Sequence, residues 1–302
     1  MAPPLPSFLI GGTEPAGLNW LFSCLAQHPD VYLPPFLQPE PNFFSKEREL
    51  ARGLEYYRER YFSAWRGQRA VGEKSGRYLF SREAPARVAR ALPGVKMVFV
   101  LRHPVERAHS NWRFTAQAGF EWLPFAEALR REPERNAAAR ADPRWREVLP
   151  HAYFEKGLYD EQLARWLEHV PRERVLVLQS EALKQRPVDE LRRAFRFLEV
   201  PEDAPVDLSR TSDFPSFEVR SLAVQRLFRR LLPGRLDGVL MRGREGRGGR
   251  PLLDRVIGWN LSTGRRALEP GTRAELLARY EPSIARLFEL WPGLDPVLWG
   301  RT

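Results

Sequence analysis

The chain has 302 residues, 43% of them hydrophobic and 28% charged, which is a globular composition long enough to fold without staples. Cys24 is the single cysteine and the 5 histidines show no ligand spacing, which excludes a disulfide framework and a cysteine-rich zinc site and argues against a metal enzyme. The 48 Lys+Arg against 38 Asp+Glu leave a formal +10, and only Lys46, Lys74, Lys96, Lys156 and Lys184 are lysines, so 43 are arginines; the excess argues for an anionic partner.

Residues 7–11, Ser-Phe-Leu-Ile-Gly, read as a short buried strand. The turn Gly11-Gly12-Thr13-Glu14-Pro15-Ala16-Gly17 follows, then a helix carrying Leu18, Leu21, Phe22 and Leu25 that ends at His28-Pro29. Residues 95–101, Val-Lys-Met-Val-Phe-Val-Leu, are the clearest buried strand, and Pro104 to Trp112 turn into a helix. Residues 174–179 form another strand, between a helix carrying Leu163, Trp166 and Leu167 and one carrying Leu191, Ala194, Phe195 and Leu198. Strands alternating with helices predict an α/β fold with a central parallel sheet flanked by helices.

We expect one domain over 1–302. Residues 113–152, rich in proline, arginine and alanine, read as a helical insertion over the sheet. Residues 220–250 hold nine arginines; their first half is amphipathic and their second half reads as a mobile, solvated loop. No run approaches about 18 apolar residues. The start, Met1-Ala-Pro-Pro-Leu-Pro, lacks the order of a secretory signal, so a cytoplasmic protein is expected.

The turn 11–17 exposes backbone N–H groups at a helix N-terminus, which suits a phosphate, although it is not a Walker A sequence. It is equally readable as a tight turn that starts a helix. The strand 95–101 runs into Arg102, where a ligand of a parallel sheet would lie, and Ser110 follows eight residues later. An arginine fork and a hydroxyl could hold a second phosphate. The competing reading is an ion pair of Arg102 with Glu106.

These segments resemble the sulfotransferases that use 3′-phosphoadenosine 5′-phosphosulfate (PAPS), particularly the bacterial and heparan-sulfate-type members. Phe8 to Gly17 with Leu25 to Val31 resembles their 5′-phosphosulfate loop and helix. Glu40-Pro-Asn-Phe-Phe44, Gly72-Glu73-Lys74 with Tyr78, and Leu101 to Ser110 resemble three further motifs, the last being the 3′-phosphate motif. Gly157-Leu-Tyr159 and the segment from Tyr280 to Trp299 extend the likeness over most of the chain. The resemblance implies a P-loop-like nucleotide-binding fold, with PAPS as co-substrate, PAP as product and no metal. It implies that Ala16, Gly17, Leu18, Asn19, Arg102, Ser110, Tyr159 and Arg265 hold the nucleotide, with Glu40 as general base and Lys74 as the cation beside the sulfate.

The chain departs from the family where the sulfate would lie. The loop lysine position is Pro15, the hydroxyl pair is Leu18-Asn19, and the lysine before Glu40 is replaced by Pro39. Lys74, Arg77 or an arginine of Ser262-Thr-Gly-Arg-Arg266 is expected to stand in. Three readings follow. The first is a working sulfotransferase acting on a hydroxyl or amine of a small-molecule or glycan acceptor. The second is a non-catalytic PAP- or PAPS-binding relative. The third, weakest, is an arginine-rich binder of nucleic acid or a membrane surface; peripheral membrane contact stays open, nucleic acid is disfavoured, and the oligomeric state is not readable. Trp112, Phe114, Phe120 and Trp122 either line an acceptor cleft or pack a core.

Overall fold

Five strands, β1 (Phe8–Gly12), β2 (Val31–Tyr32), β3 (Ala70–Lys74), β4 (Lys96–Leu101) and β5 (Val175–Gln179), form one sheet in the order β2-β3-β1-β4-β5. Every pairing is parallel. The computed structural model describes residues 3–13, 15–35, 40–209, 217–242, 252–262, 264 and 267–301. Contacts divide the chain into two compact units: residues 1–107, 158–212 and 280–302, and residues 108–157 and 213–279.

The first unit holds the parallel sheet. β1 is buried along its whole length because helices cover both faces, which is why it reads as a continuous apolar run. On one face Phe8 and Ile10 pack with Val98, Val100 and Leu178 against α1 (Leu18–Leu25) and the helix Pro187–Leu198. On the other, Phe99 meets Trp166 edge-on at 5.1 Å between ring centroids. β3 is buried too, although its sequence is Ala-Val-Gly-Glu-Lys. A Cβ at Gly72 would lie 2.4 Å from Phe8 Cζ, so only glycine lets the Phe8 ring rest on β3. That contact fixes the register that puts Lys74 beside Ile10 at the carboxyl end of the sheet. The chain passes from β1 to β3 on one side and then to β4 on the other, and at such a reversal the strand ends open a crevice.

The second unit carries the helices Phe125–Arg130 and Glu132–Ala141, and the helices Leu222–Leu231, Pro233–Arg242 and Leu252–Trp259. Strands β6 (Glu218–Val219) and β7 (Leu261–Ser262) pair antiparallel. Phe217, Phe228, Leu236, Val239, Ile257 and Leu261 form its small core. Sequence places only Phe228 near the 220–242 arginines; the fold brings others. Arg226 lies 3.9 Å from the Trp122 ring centroid, and Arg229 lies over Phe120 and pairs with Asp237. These arginines are built into the unit's packing rather than being solvated charge alone. Residues 243–250 lie outside the described residues. Glu121 is this unit's polar centre. It accepts from Arg135 at 2.7 Å, from Tyr153 at 2.8 Å, and from the Trp122 and Leu123 N–H groups. Burial pushes its carboxyl up, but hydrogen bonds from His151 and Arg135 more than offset that and hold it down to about 2.

No helix among the described residues is long and apolar enough to cross a membrane.

Candidate active site

The site residues of the first unit gather where β1, β3 and β4 end. The turn after β1 runs through Pro15 and Ala16 to Gly17, which caps α1 at φ 87°, a left-handed conformation that glycine adopts without strain. Its first intrahelical bond is Leu21 N–H to the Gly17 carbonyl, so the N–H groups of Leu18, Asn19 and Trp20 have no partner within the helix. No side chain caps this end and no acidic residue occupies its first turn. The helix end therefore presents donors and a partial positive charge to an anion.

Lys74 reaches the same place from the end of β3. Its Nζ lies 2.8 Å from Glu40 Oε1, and both side chains are almost fully buried. The same Nζ donates to Asn19 Oδ1. Glu40 Oε2 accepts from the Gly76 N–H at 2.8 Å. The ammonium is thus held between a carboxylate and the first turn of α1. Charge-assisted bonds of this kind are the strong ones, and burial makes each harder to replace by water.

Glu73, one residue earlier, accepts from Tyr57 at 3.0 Å, from Tyr78 at 2.5 Å and from Ser75 at 2.9 Å. Burial raises its carboxyl to about 7, and the three hydroxyl donors lower it only in part. Ser75 Oγ accepts in turn from the Asn42 N–H at 2.7 Å, so this network anchors the chain that follows Glu40. Phe43 stacks on Tyr57 at 4.4 Å between centroids, an apolar wall for the same segment. Glu73 lies in the Gly72-Glu73-Lys74 motif, but neither it nor Ser75 carries a role in the sequence pattern. Their signal was a polar run, Gly-Glu-Lys-Ser, adjoining Ala70-Val71.

Arg102 follows β4. Its guanidinium donates to the Pro15 carbonyl at 3.3 Å, and its own carbonyl accepts from the Tyr159 hydroxyl at 2.8 Å. Burial raises the Tyr159 phenol to about 12, which keeps it a donor. Next to it the His103 N–H donates to Glu181, which also accepts from Trp299. The late segment is thereby tied to the end of β4, a link with no local sequence signal.

The structure thus brings Asn19, Glu40 and Lys74 into one hydrogen-bonded group with the Gly76 N–H, and joins Pro15, Arg102 and Tyr159 in another; Gly17 caps the helix on which Asn19 lies. Ala16 is buried and Leu18 contributes its backbone at the helix start. Ser110 is half-buried on the helix Pro104–Gln117, in the part that belongs to the second unit. Arg265 lies outside the described residues.

Residues 5–223 match the family model described as Sulfotransferase domain. Among curated proteins, heparan sulfate glucosamine 3-O-sulfotransferase 3B1 of Mus musculus is 32% identical over 219 residues, covering 70% of this chain and 51% of its own length. Heparan sulfate glucosamine 3-O-sulfotransferase 6 of Homo sapiens is 32% identical over 213 residues, covering 70% of this chain and 58% of its own. The chain thus spans about half the length of the curated relatives it matches. Among solved structures, a sulfotransferase from Alicyclobacillus acidocaldarius aligns over 99% of this chain and 100% of its own, with 29% identity and a TM-score of 0.71.

Proposed function

Because the chain belongs to the sulfotransferase domain family, we propose that it moves a sulfuryl group from PAPS to a hydroxyl or amine of an acceptor, releasing PAP. The observation that carries this reading is the Lys74–Glu40 pair joined through Asn19 to the uncapped start of α1. It puts a cation, a base and free N–H donors within one small site. A phosphosulfate fits such a set, which contains two kinds of donor, an ammonium and backbone N–H groups, and one carboxylate neutralised by its lysine.

Bound PAPS supplies an activated sulfuryl group whose S–O bond to phosphate breaks as the acceptor's bond to sulfur forms. Glu40 takes the acceptor's proton. Its two oxygens accept from Lys74 and from the Gly76 N–H, which fix the orientation of the carboxylate. Lys74 stabilises charge on the transferring group and on the departing phosphate. The Leu18 and Asn19 N–H groups hold the 5′-phosphate, while Arg102 holds the 3′-phosphate. Tyr159 sets the backbone of Arg102. Positioning and electrostatics of this kind are most of what such a transfer needs. The names of the curated relatives suggest an amino-sugar polysaccharide as acceptor.

A second reading, binding of PAP without catalysis, is favoured by Pro15, which brings neither charge nor N–H to the loop. Labelled PAPS incubated with amino-sugar polysaccharides separates the two. Transfer that disappears in Glu40→Gln supports the enzyme. PAP binding with no transfer to any acceptor favours the second reading.

A further inference from the structure

The loop after β1 carries Pro15 where the resembling proteins carry a lysine, and Asn19 where they carry a hydroxyl. The structure connects these two departures. Lys74 lies on a different strand, on a flexible four-carbon stem whose ordering costs rotamer freedom. Glu40 alone would draw the ammonium toward the base. Asn19 sits on the first turn of α1, and its side-chain oxygen accepts from the same ammonium on the other side. Its amide reaches one bond farther than a serine or threonine hydroxyl and brings no charge of its own.

We infer that Asn19 is a positioning residue that holds Lys74 against the start of α1, so that Lys74 supplies to the sulfate the charge a loop lysine would supply. Pro15 and Asn19 are then one linked change rather than two separate losses. The loop gives up its cation, and the neighbouring helix fixes in place the lysine that β3 already carries. This deepens the sulfotransfer reading and rests on it. The acceptor's proton still goes to Glu40, and no bond is made or broken at Asn19.

The test is a double-substitution cycle with two readouts. The first is kcat for sulfate transfer. The second is the ratio of PAPS to PAP affinity, which isolates the sulfate because PAP lacks it. Asn19→Ala should lower kcat about 10- to 100-fold and shrink the PAPS preference, with PAP affinity and melting temperature close to the parent's. In a Pro15→Lys background the same substitution should cost at least tenfold less, because the loop then carries its own cation. Equal losses in both backgrounds, or equal losses for PAPS and PAP, would mean that Asn19 is merely structural and overturn the inference. If the parent binds both nucleotides but transfers nothing, the sulfotransfer reading falls while the affinity ratio still decides the role of Asn19. If neither nucleotide binds, both readings fall.

Discussion

The Arg102 guanidinium donates to the Pro15 carbonyl at 3.3 Å, so the end of β4 is tied to the turn that follows β1. The residue expected to grip one end of the nucleotide also steadies the loop expected to cradle the other. Arg102→Ala should therefore lower PAP affinity by at least about 10²-fold, roughly 3 kcal/mol, as read by calorimetry. Arg102→Lys should recover little, because a lysine is a point charge without the planar fork. Tyr159→Phe removes the donor to the Arg102 carbonyl and should cost about 1 kcal/mol of stability. Unchanged PAP binding in Arg102→Ala would remove this residue from the site.

Glu40 and Lys74 neutralise one another while both are buried, so loss of one leaves the other exposed to the full cost of burial. Glu40→Gln keeps the shape and one acceptor oxygen but cannot take a proton. Transfer should fall about 10²- to 10⁴-fold with PAP affinity retained. A variant that keeps more than about a tenth of the parent's kcat would exclude Glu40 as the base.

Glu73 makes stability depend on pH in a defined direction. Burial raises its carboxyl from 4.5 to about 7. Between those values the folded protein holds a proton that the unfolded chain releases. The contribution is complete below about 4.5 and is lost as pH rises through about 7. Glu73→Gln mimics the protonated form. Relative to the parent it should be more favourable at about pH 8 than at about pH 5 in urea unfolding. Parallel pH curves for the two proteins would contradict this.

Glu121 behaves in the opposite sense. Its carboxyl is held down to about 2 by hydrogen bonds that outweigh burial. The contribution is present above about 4.5 and disappears as pH falls through about 2. Glu121→Ala strands Arg135 and Tyr153 in the second unit and should cost about 3–5 kcal/mol, measured by denaturant unfolding near neutral pH. A cost below about 1 kcal/mol would show that the cluster is dispensable.

The strands β1, β4 and β5 were legible because a strand covered on both faces must be apolar throughout, and residues 8–12, 96–101 and 175–179 nearly are. β3 was not, because two of its five residues are a glutamate and a lysine. Such residues enter a core only with partners, and Tyr57, Tyr78 and Glu40 lie on other elements. Arg102 is expected from its place at the end of a buried strand, and Glu40 and Lys74 from the family resemblance. The joining of Lys74 to Asn19 could not be expected from either, because it depends on the alignment of β3 against β1. Likewise Trp122 and Arg226 are about a hundred residues apart in the chain and meet only in the folded unit.

The central place of β1 also bears on how the protein is made. Phe8 must find Gly72 on one side and Lys96 on the other before the strand has both its neighbours. Until residue 101 has left the ribosome, one of the most apolar segments of the chain has an open hydrogen-bonding edge. Closing such distant pairings is slow, and an unpaired apolar strand invites association between nascent chains. Fragments that stop short of β4 should therefore be insoluble, and expression of the protein should improve when translation is slow or a chaperone shields its first hundred residues.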